Sequence, residues 1–359
     1  MDEKITPDLE RVLEAGNSAP SGENCQPWHF VVHGSTIEVH LLPERDQSPY
    51  GWGQRASYLA NGAVIENIVI AASAEQYRAE VHYFPNPSDE WHVATIVLTK
   101  DSTIESDPLA SYITKRISNR KPYKKDQLTG EERKTLANAA AHGGYGMFAL
   151  AEAPEEVGRL GRVGSTNEEV MLANRSLHDF FFSHVSWTKE EDDEKKAGFY
   201  IKTLELPPPA KLMFKIFRNW PIMRVLGTIG FNRIVAKQNA ATNASASAIG
   251  AFMIARTEPL DFVKIGRAVE RLWLTATSLG LSLQPLTGVL FFKLRFDGGE
   301  RDGFSSHEQK LVIDAYQEAS RIFHADGKHI AFTFRIGRGD APSAHAIRFP
   351  LAEAVTIQS

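Results

Sequence analysis

The chain has 359 residues, of which 43% are hydrophobic and 23% charged, with a net charge of −4. That length and mixture describe a globular chain of two domains or one large one. The slight acidity gives no general attraction to nucleic acid or anionic lipid. The single cysteine, Cys25, excludes an internal disulfide and a thiolate metal cluster and suits a reducing compartment.

The first six residues, MDEKIT, hold no apolar signal region, so a cytoplasmic address is expected. An amphipathic helix is predicted over 7–17, with Thr6 as N-cap and Pro7 in the first helical position. An alternating strand follows at 30–33. Between them residues 19–30 read APSGENCQPWHF. Pro20 and Pro27 stiffen this loop, Gly22 permits close backbone approach, and Ser21 and Asn24 offer hydrogen bonds. Such a loop suits a flat polar ligand held in one orientation. Cys25 lies within it but has no histidine-plus-carboxylate pattern, so a small buried residue is expected rather than a nucleophile. His29 reads as a strand-edge residue.

An apolar helix with one glutamate follows at 62–72, then strands at 79–84 and 92–98. Residues 115–123 read KRISNRKPY. In extended chain Arg116, Ser118 and Arg120 face one way, and two guanidiniums with a hydroxyl suit a phosphate. A solvated basic segment is an equal reading. Nucleic-acid binding is disfavoured, because the patch is short and lacks interleaved aromatics.

The pattern then repeats in order. Thr129 with Glu132 forms a capping box opening a second helix. The loop HGGYG at 142–146 takes the place of the first loop without its serine, asparagine and prolines, and a strand follows at 147–150. Residues 266–276 repeat the glycine, glutamate and apolar spacing of 62–72, and both helices are expected to be buried nearly all round. Further strands are predicted at 248–255, 282–286 and 329–336. The expected fold is α+β in two halves, about 1–105 and 106–359, with an insertion at about 186–243. The insertion is rich in proline and aromatics and carries an apolar run with interspersed cations. It reads as a lid, as a helical arm packed on the scaffold, or as a membrane-surface helix. Lys215, Arg218, Pro221, Arg224 and Arg233 interrupt it, so it is a poor membrane span.

The loop at 19–30 closely resembles the cofactor loop of the FMN-dependent nitroreductase family, and R-x-S-x-R at 116–120 resembles that family's phosphate motif. QPLTG at 284–288 resembles its P-x-x-G turn, and RFPL at 348–351 its closing R-x-P-L segment. The resemblance implies FMN held by Pro20, Ser21, Asn24, Gln26, Arg116, Ser118, Arg120, Pro285, Thr287, Gly288 and Arg348. It places a backbone N–H of Thr287 or Gly288, as the catalytic donor, near the reactive flavin N5. Nitroreductases are homodimers with sites between subunits. Here the loop occurs only in the first half and the clamp, turn and Arg348 only in the second, while residues 1–4 offer no arginine clamp before the first helix. The chain therefore resembles the fused, tandem nitroreductase-like proteins of the Acg type, an intramolecular pseudo-dimer with one intact and one decayed site.

The activity implied is ping-pong transfer from NAD(P)H through one FMN per chain to a small aromatic or quinone-like acceptor, by a monomer. No metal, nucleic acid or stable membrane insertion is expected. No G-x-G-x-x-G follows a strand, so the nicotinamide has no domain of its own. Two rivals remain: a non-catalytic FMN-binding or flavin-storing protein with a lid-occluded site, and a protein without flavin.

Overall fold

A computed structural model describes residues 5–358. Helix α1 (Pro7–Asn17) leads through a 3-10 turn at Gly22–Asn24 into strands β1 (Trp28–His33) and β2 (Thr36–Leu41). Helix α2 (Arg55–Ala74) and strands β3 (Tyr77–Tyr83) and β4 (His92–Lys100) complete the first half. After a 3-10 segment, Pro108–Lys115, come α3 (Gly130–Ala141), β5 (Met147–Ala151), α4 (Pro154–Ala173) and α5 (Arg175–Ser183). Then follow β6 (Val185–Ser186), α6 (Lys189–Lys195), β7 (Phe199–Tyr200), α7 (Pro208–Phe217), α8 (Trp220–Thr228) and α9 (Phe231–Asn243). The chain closes with β8 (Ala248–Ile254), α10 (Pro259–Ser278), β9 (Ser282–Pro285), α11 (Gly288–Asp297), α12 (Ser306–Ile322), β10 (His329–Gly337) and β11 (Val355–Ile357).

Thr6 and Pro7 open α1 as the sequence predicts, although the Thr6 hydroxyl makes no cap hydrogen bond. Thr129 and Glu132 cap α3 reciprocally. The reading of residues 1–4 as lacking a clamp lies outside the described residues. The two predicted apolar helices run longer than expected and are buried on 15 of 20 residues in α2 and 13 of 20 in α10. A helix so covered must lie between layers rather than on a surface.

Two sheets result, one ordered β11-β1-β2-β4-β3 and the other β5-β8-β10-β9. Most pairings are antiparallel, and α2 and α10 pack on each other between the halves, so the fold is α+β in two halves fused as a pseudo-dimer. At the crossing, a Cβ on Gly62 would stand 2.0 Å from the Val263 carbonyl oxygen, and one on Gly266 would stand 2.0 Å from that of Leu59. Only paired glycines allow the backbones this close. One hydrophobic cluster runs through both halves, from Val12 and Phe30 to Phe252 and Phe334.

Glu66 on α2, essentially fully buried, receives Arg267 Nε at 2.8 Å and Arg271 Nε at 2.5 Å from α10, and Arg271 also reaches Asp107 at 2.9 Å. The halves are thus joined by a satisfied buried ion network as well as by apolar packing. The C-terminal strand departs from a clean division. β11 pairs in parallel with β1, Phe30 opposite Val355, so the end of the second half becomes the edge of the first half's sheet.

Candidate functional site

The loop after α1 is held in an uncommon backbone conformation. Glu23, Asn24 and Gln26 have φ of 51°, 55° and 52°, in the left-handed region that non-glycine residues seldom occupy. Strain of this kind persists only where the surroundings over-determine it. Here they do. Ser21 Oγ accepts from the Gln26 amide at 2.9 Å. Gln26, fully buried, donates to the Lys196 carbonyl at 2.8 Å and accepts the Phe349 amide at 2.7 Å. Asn24 donates to the Ile347 carbonyl at 2.9 Å and accepts from Arg348 at 2.6 Å. The polar side chains that single out this loop in the sequence therefore bind the C-terminal segment 347–349 across the molecule.

That segment brings Arg348 to the 116–120 stretch, which runs extended beside β9, Ser118 bridging Leu283 in parallel. Pro20, Ser21, Asn24, Arg116, Ser118, Arg120 and Arg348 line one cleft. Gly198, Phe199 and Thr203 wall it on one side and Ala344, His345 and Ala346 on another. Of the sequence-predicted residues, the structure brings these seven together. Gln26 lies beneath the loop, Pro285 ends β9 and Thr287 and Gly288 follow it, all three outside this cleft's lining.

The cleft carries more positive charge than its own residues neutralise. Arg116 is buried, 3.0 Å from Glu270 Oε1, with its guanidinium over the Trp273 ring at 4.6 Å. Both Glu270 oxygens nonetheless lack a hydrogen-bond donor, and burial pushes that carboxyl up. Arg120 donates to the Thr203 carbonyl at 3.1 Å and Arg348 to the Ala19 carbonyl at 2.9 Å. Neither has a carboxylate partner among the described residues, and the Arg348 guanidinium is lowered to about 9 by burial and by the charge of Arg116. Burial likewise lowers Arg120 to about 10. An anion between them would relieve both costs. This is the chemistry of a phosphate site. The space is about 110 Å³, which admits a phosphate-sized group and is small against pockets for whole nucleotide-sized ligands.

The corresponding place in the other half differs. Its cations, Arg267 and Arg271, are consumed by Glu66 and Asp107, and Arg267 also donates to the Tyr83 hydroxyl and lies 5.6 Å from the Tyr145 ring. Tyr145 of the HGGYG loop packs against that core. No surplus charge stands there among the described ion pairs.

A second group of polar residues surrounds the turn at 284–288, and nothing in the sequence pattern marked it. A Cβ on Gly288 would meet Asn167 Oδ1 of α4 at 2.1 Å, so this glycine is required for α4 to approach. Asn167 Oδ1 accepts from the Tyr50 hydroxyl at 2.9 Å, and Tyr50 stacks on Phe292. The neighbouring Glu168 has a buried Oε2 without a partner, and burial pushes its carboxyl up to about 7. Glu23, which lines the arginine cleft rather than this turn, is pushed up to about 8 by burial and by Asp46. Buried carboxyls with such shifts cluster at functional sites. Cys25 is also pushed up by burial, away from the thiolate form a nucleophile requires. The first three amides of this region, those of Thr287, Gly288 and Val289, find no backbone acceptor among the described residues, as the open end of α11 dictates.

The insertion divides into two parts. Residues 198–203 wall the cleft, while α7–α9 pack on α4 and α5 away from it. No helix among the described residues is long and apolar enough to cross a membrane.

Fold and site together define an α+β pseudo-dimer with a cleft in which Arg116, Arg120 and Arg348 meet. No family model matches the chain. It is 26% identical over 293 residues to a Mycobacterium tuberculosis protein named "Putative NAD(P)H nitroreductase", covering 78% of this chain and 77% of that one. A second protein of that organism so named, acg, is 27% identical over 142 residues, 38% of this chain and 43% of its own length. An uncharacterized protein of the same organism is 24% identical over 341 residues, 94% of this chain. The chain spans 46% of that relative's length. Among solved structures, the FMN-dependent nitroreductase NfnB of Mycobacterium smegmatis in complex with NADPH is similar with a TM-score of 0.42 and 10% identity, covering 70% of this chain and 98% of that one. The resemblance to nitroreductase-like proteins read from residues 19–30 and 116–120 is borne out by the names of these relatives.

Proposed function

We propose that this chain is an FMN-dependent oxidoreductase of nitroreductase type. The observation that carries the reading is the pair of guanidiniums, Arg120 and Arg348, buried in one cleft without a carboxylate partner. FMN bound there would supply two-electron chemistry between NAD(P)H and a small aromatic or quinone-like acceptor, in ping-pong order. Arg120 and Arg348, with Arg116 and the Ser118 hydroxyl, hold its phosphate. The amide of Thr287 or Gly288 would be the donor to the reactive ring nitrogen, and the positive end of α11 would favour negative charge beside it. Glu168, beside Asn167 and pushed up to about 7 by burial, can take up or release a proton near neutrality. Division at about residue 105, a single cofactor per chain and a monomeric pseudo-dimer are parts of this reading, because the chain itself supplies both halves of the cleft.

A second reading, an FMN-binding or flavin-storing protein without turnover, draws on the narrowness of the cleft and the wall at 198–203. Absorbance of the freshly purified chain, with flavin and protein quantified, comes first. NADH and NADPH oxidation with a nitroaromatic or a quinone comes second. Turnover with bound FMN supports the enzyme; bound FMN without turnover favours the storage protein; no FMN after reconstitution rejects both.

A further inference from the structure

Nine large hydrophobic side chains are exposed among the described residues, and seven of them lie in the α7–α9 segment, six on the helices and Ile229 in the turn between α8 and α9. They run from Leu212 (66% exposed) through Val225 (63%) and Ile229 (75%) to Ile234 (61%). These helices also have an inner apolar face, where Phe217 and Met223 are buried and Phe214, Trp220 and Phe231 pack on the core. Helices apolar on both sides call for a second apolar medium.

Charge identifies that medium. Residues 207–243 hold six lysines and arginines and no aspartate or glutamate, in a chain whose net charge is −4. Lys215, Arg218, Arg224 and Lys237 are exposed beside the apolar residues. Among the described residues only Arg233, 3.4 Å from Glu169, has an acidic partner. The helices are 10, 9 and 13 residues long, too short to span a bilayer. Apolar groups interleaved with unpaired cations on short helices fit an anionic lipid surface, where the side chains enter the headgroup boundary and the cations meet phosphates. A folded partner would need an equally apolar and strongly acidic face, and nucleic acid would leave the apolar groups in water.

We propose that α7–α9 form a docking surface for anionic bilayers. The test is co-sedimentation of the full chain with vesicles of phosphatidylcholine alone and of phosphatidylcholine mixed with phosphatidylglycerol, across a salt series. The expected result is binding to the mixed vesicles only, weakening as salt rises. Lys215→Glu and Arg224→Glu should each lower binding at least about fivefold. Val225→Asp with Ile229→Asp should abolish it while the melting temperature stays unchanged, since both side chains are already exposed. Three results overturn the proposal: no binding to mixed vesicles, binding that survives the double aspartate variant, or a wild-type dimer that the same variant dissociates and that does not bind vesicles.

Discussion

Arg348 donates to the Ala19 carbonyl, to the Asn24 side chain and, at 3.4 Å, to the Ser18 carbonyl, so it fastens the C-terminal segment to the first loop while bringing charge to the cleft. Arg116 has a similar double burden through Glu270 and the Ser18 carbonyl. Removing it leaves Glu270 uncompensated, and Arg116→Ala should lower stability by about 3–5 kcal/mol. Arg120 makes one backbone contact and is the cleaner probe. Arg120→Ala should weaken FMN binding by about 1.5–3 kcal/mol in a titration by fluorescence quenching, with little change in melting temperature. Unchanged affinity would remove it from the phosphate site. The carboxyls of Glu23 and Glu168, at about 8 and about 7 against 4.5 ordinarily, bind protons more tightly folded than unfolded. Their contribution to stability is therefore complete below about pH 4.5 and lost as pH rises through about 7 to 8. Melting curves should show wild type falling relative to Glu23→Gln and Glu168→Gln between about pH 4.5 and pH 8, and running parallel to them above that. Parallel pH curves for all three chains would mean that neither carboxyl titrates as stated.

At the scale of elements, α2 and α10 were legible because their residues repeat the same glycine, glutamate and apolar spacing. The glycine's purpose was not. It comes from the crossing, where Gly62→Ala would drive a Cβ into the Val263 carbonyl and should cost about 1–3 kcal/mol or more in denaturant unfolding. A loss below half a kcal/mol would mean the helices can part without penalty. The glutamates were equally visible and equally mute: Glu66 meets two arginines of the other half, and Glu270 meets Arg116. Gln26, which the resemblance makes a cofactor ligand, also braces the loop. Its amide is buried against Lys196 and Phe349, partners 170 and 323 residues away that no local pattern connects. β11 is three residues long and joins its sheet by backbone pairing, which leaves no mark in side-chain periodicity. The insertion, read as a lid or as an arm, contains both a cleft wall at 198–203 and a packed helical layer at α7–α9.

For the whole molecule, the surplus cations of one cleft and the satisfied ions of its counterpart predict a single cofactor. Purified and reconstituted protein should hold close to one FMN per chain, and light scattering should give the mass of one chain, 39.9 kDa. Two FMN per chain would mean that Arg267 and Arg271 exchange their carboxylates for phosphate. The sequence by itself determined the α+β class, the order of the two halves, the capped helices and the loop and clamp motifs, because propensity, capping and apolar spacing act over a few residues. Only the tertiary structure decided which arginine is paired with a carboxylate and which is not, which side-chain amides brace the loop, that Glu23 lines the arginine cleft, and that Tyr50 and Asn167 flank the turn at Gly288. Those outcomes depend on desolvation and on partners more than a hundred residues apart, quantities that exist once the chain is packed.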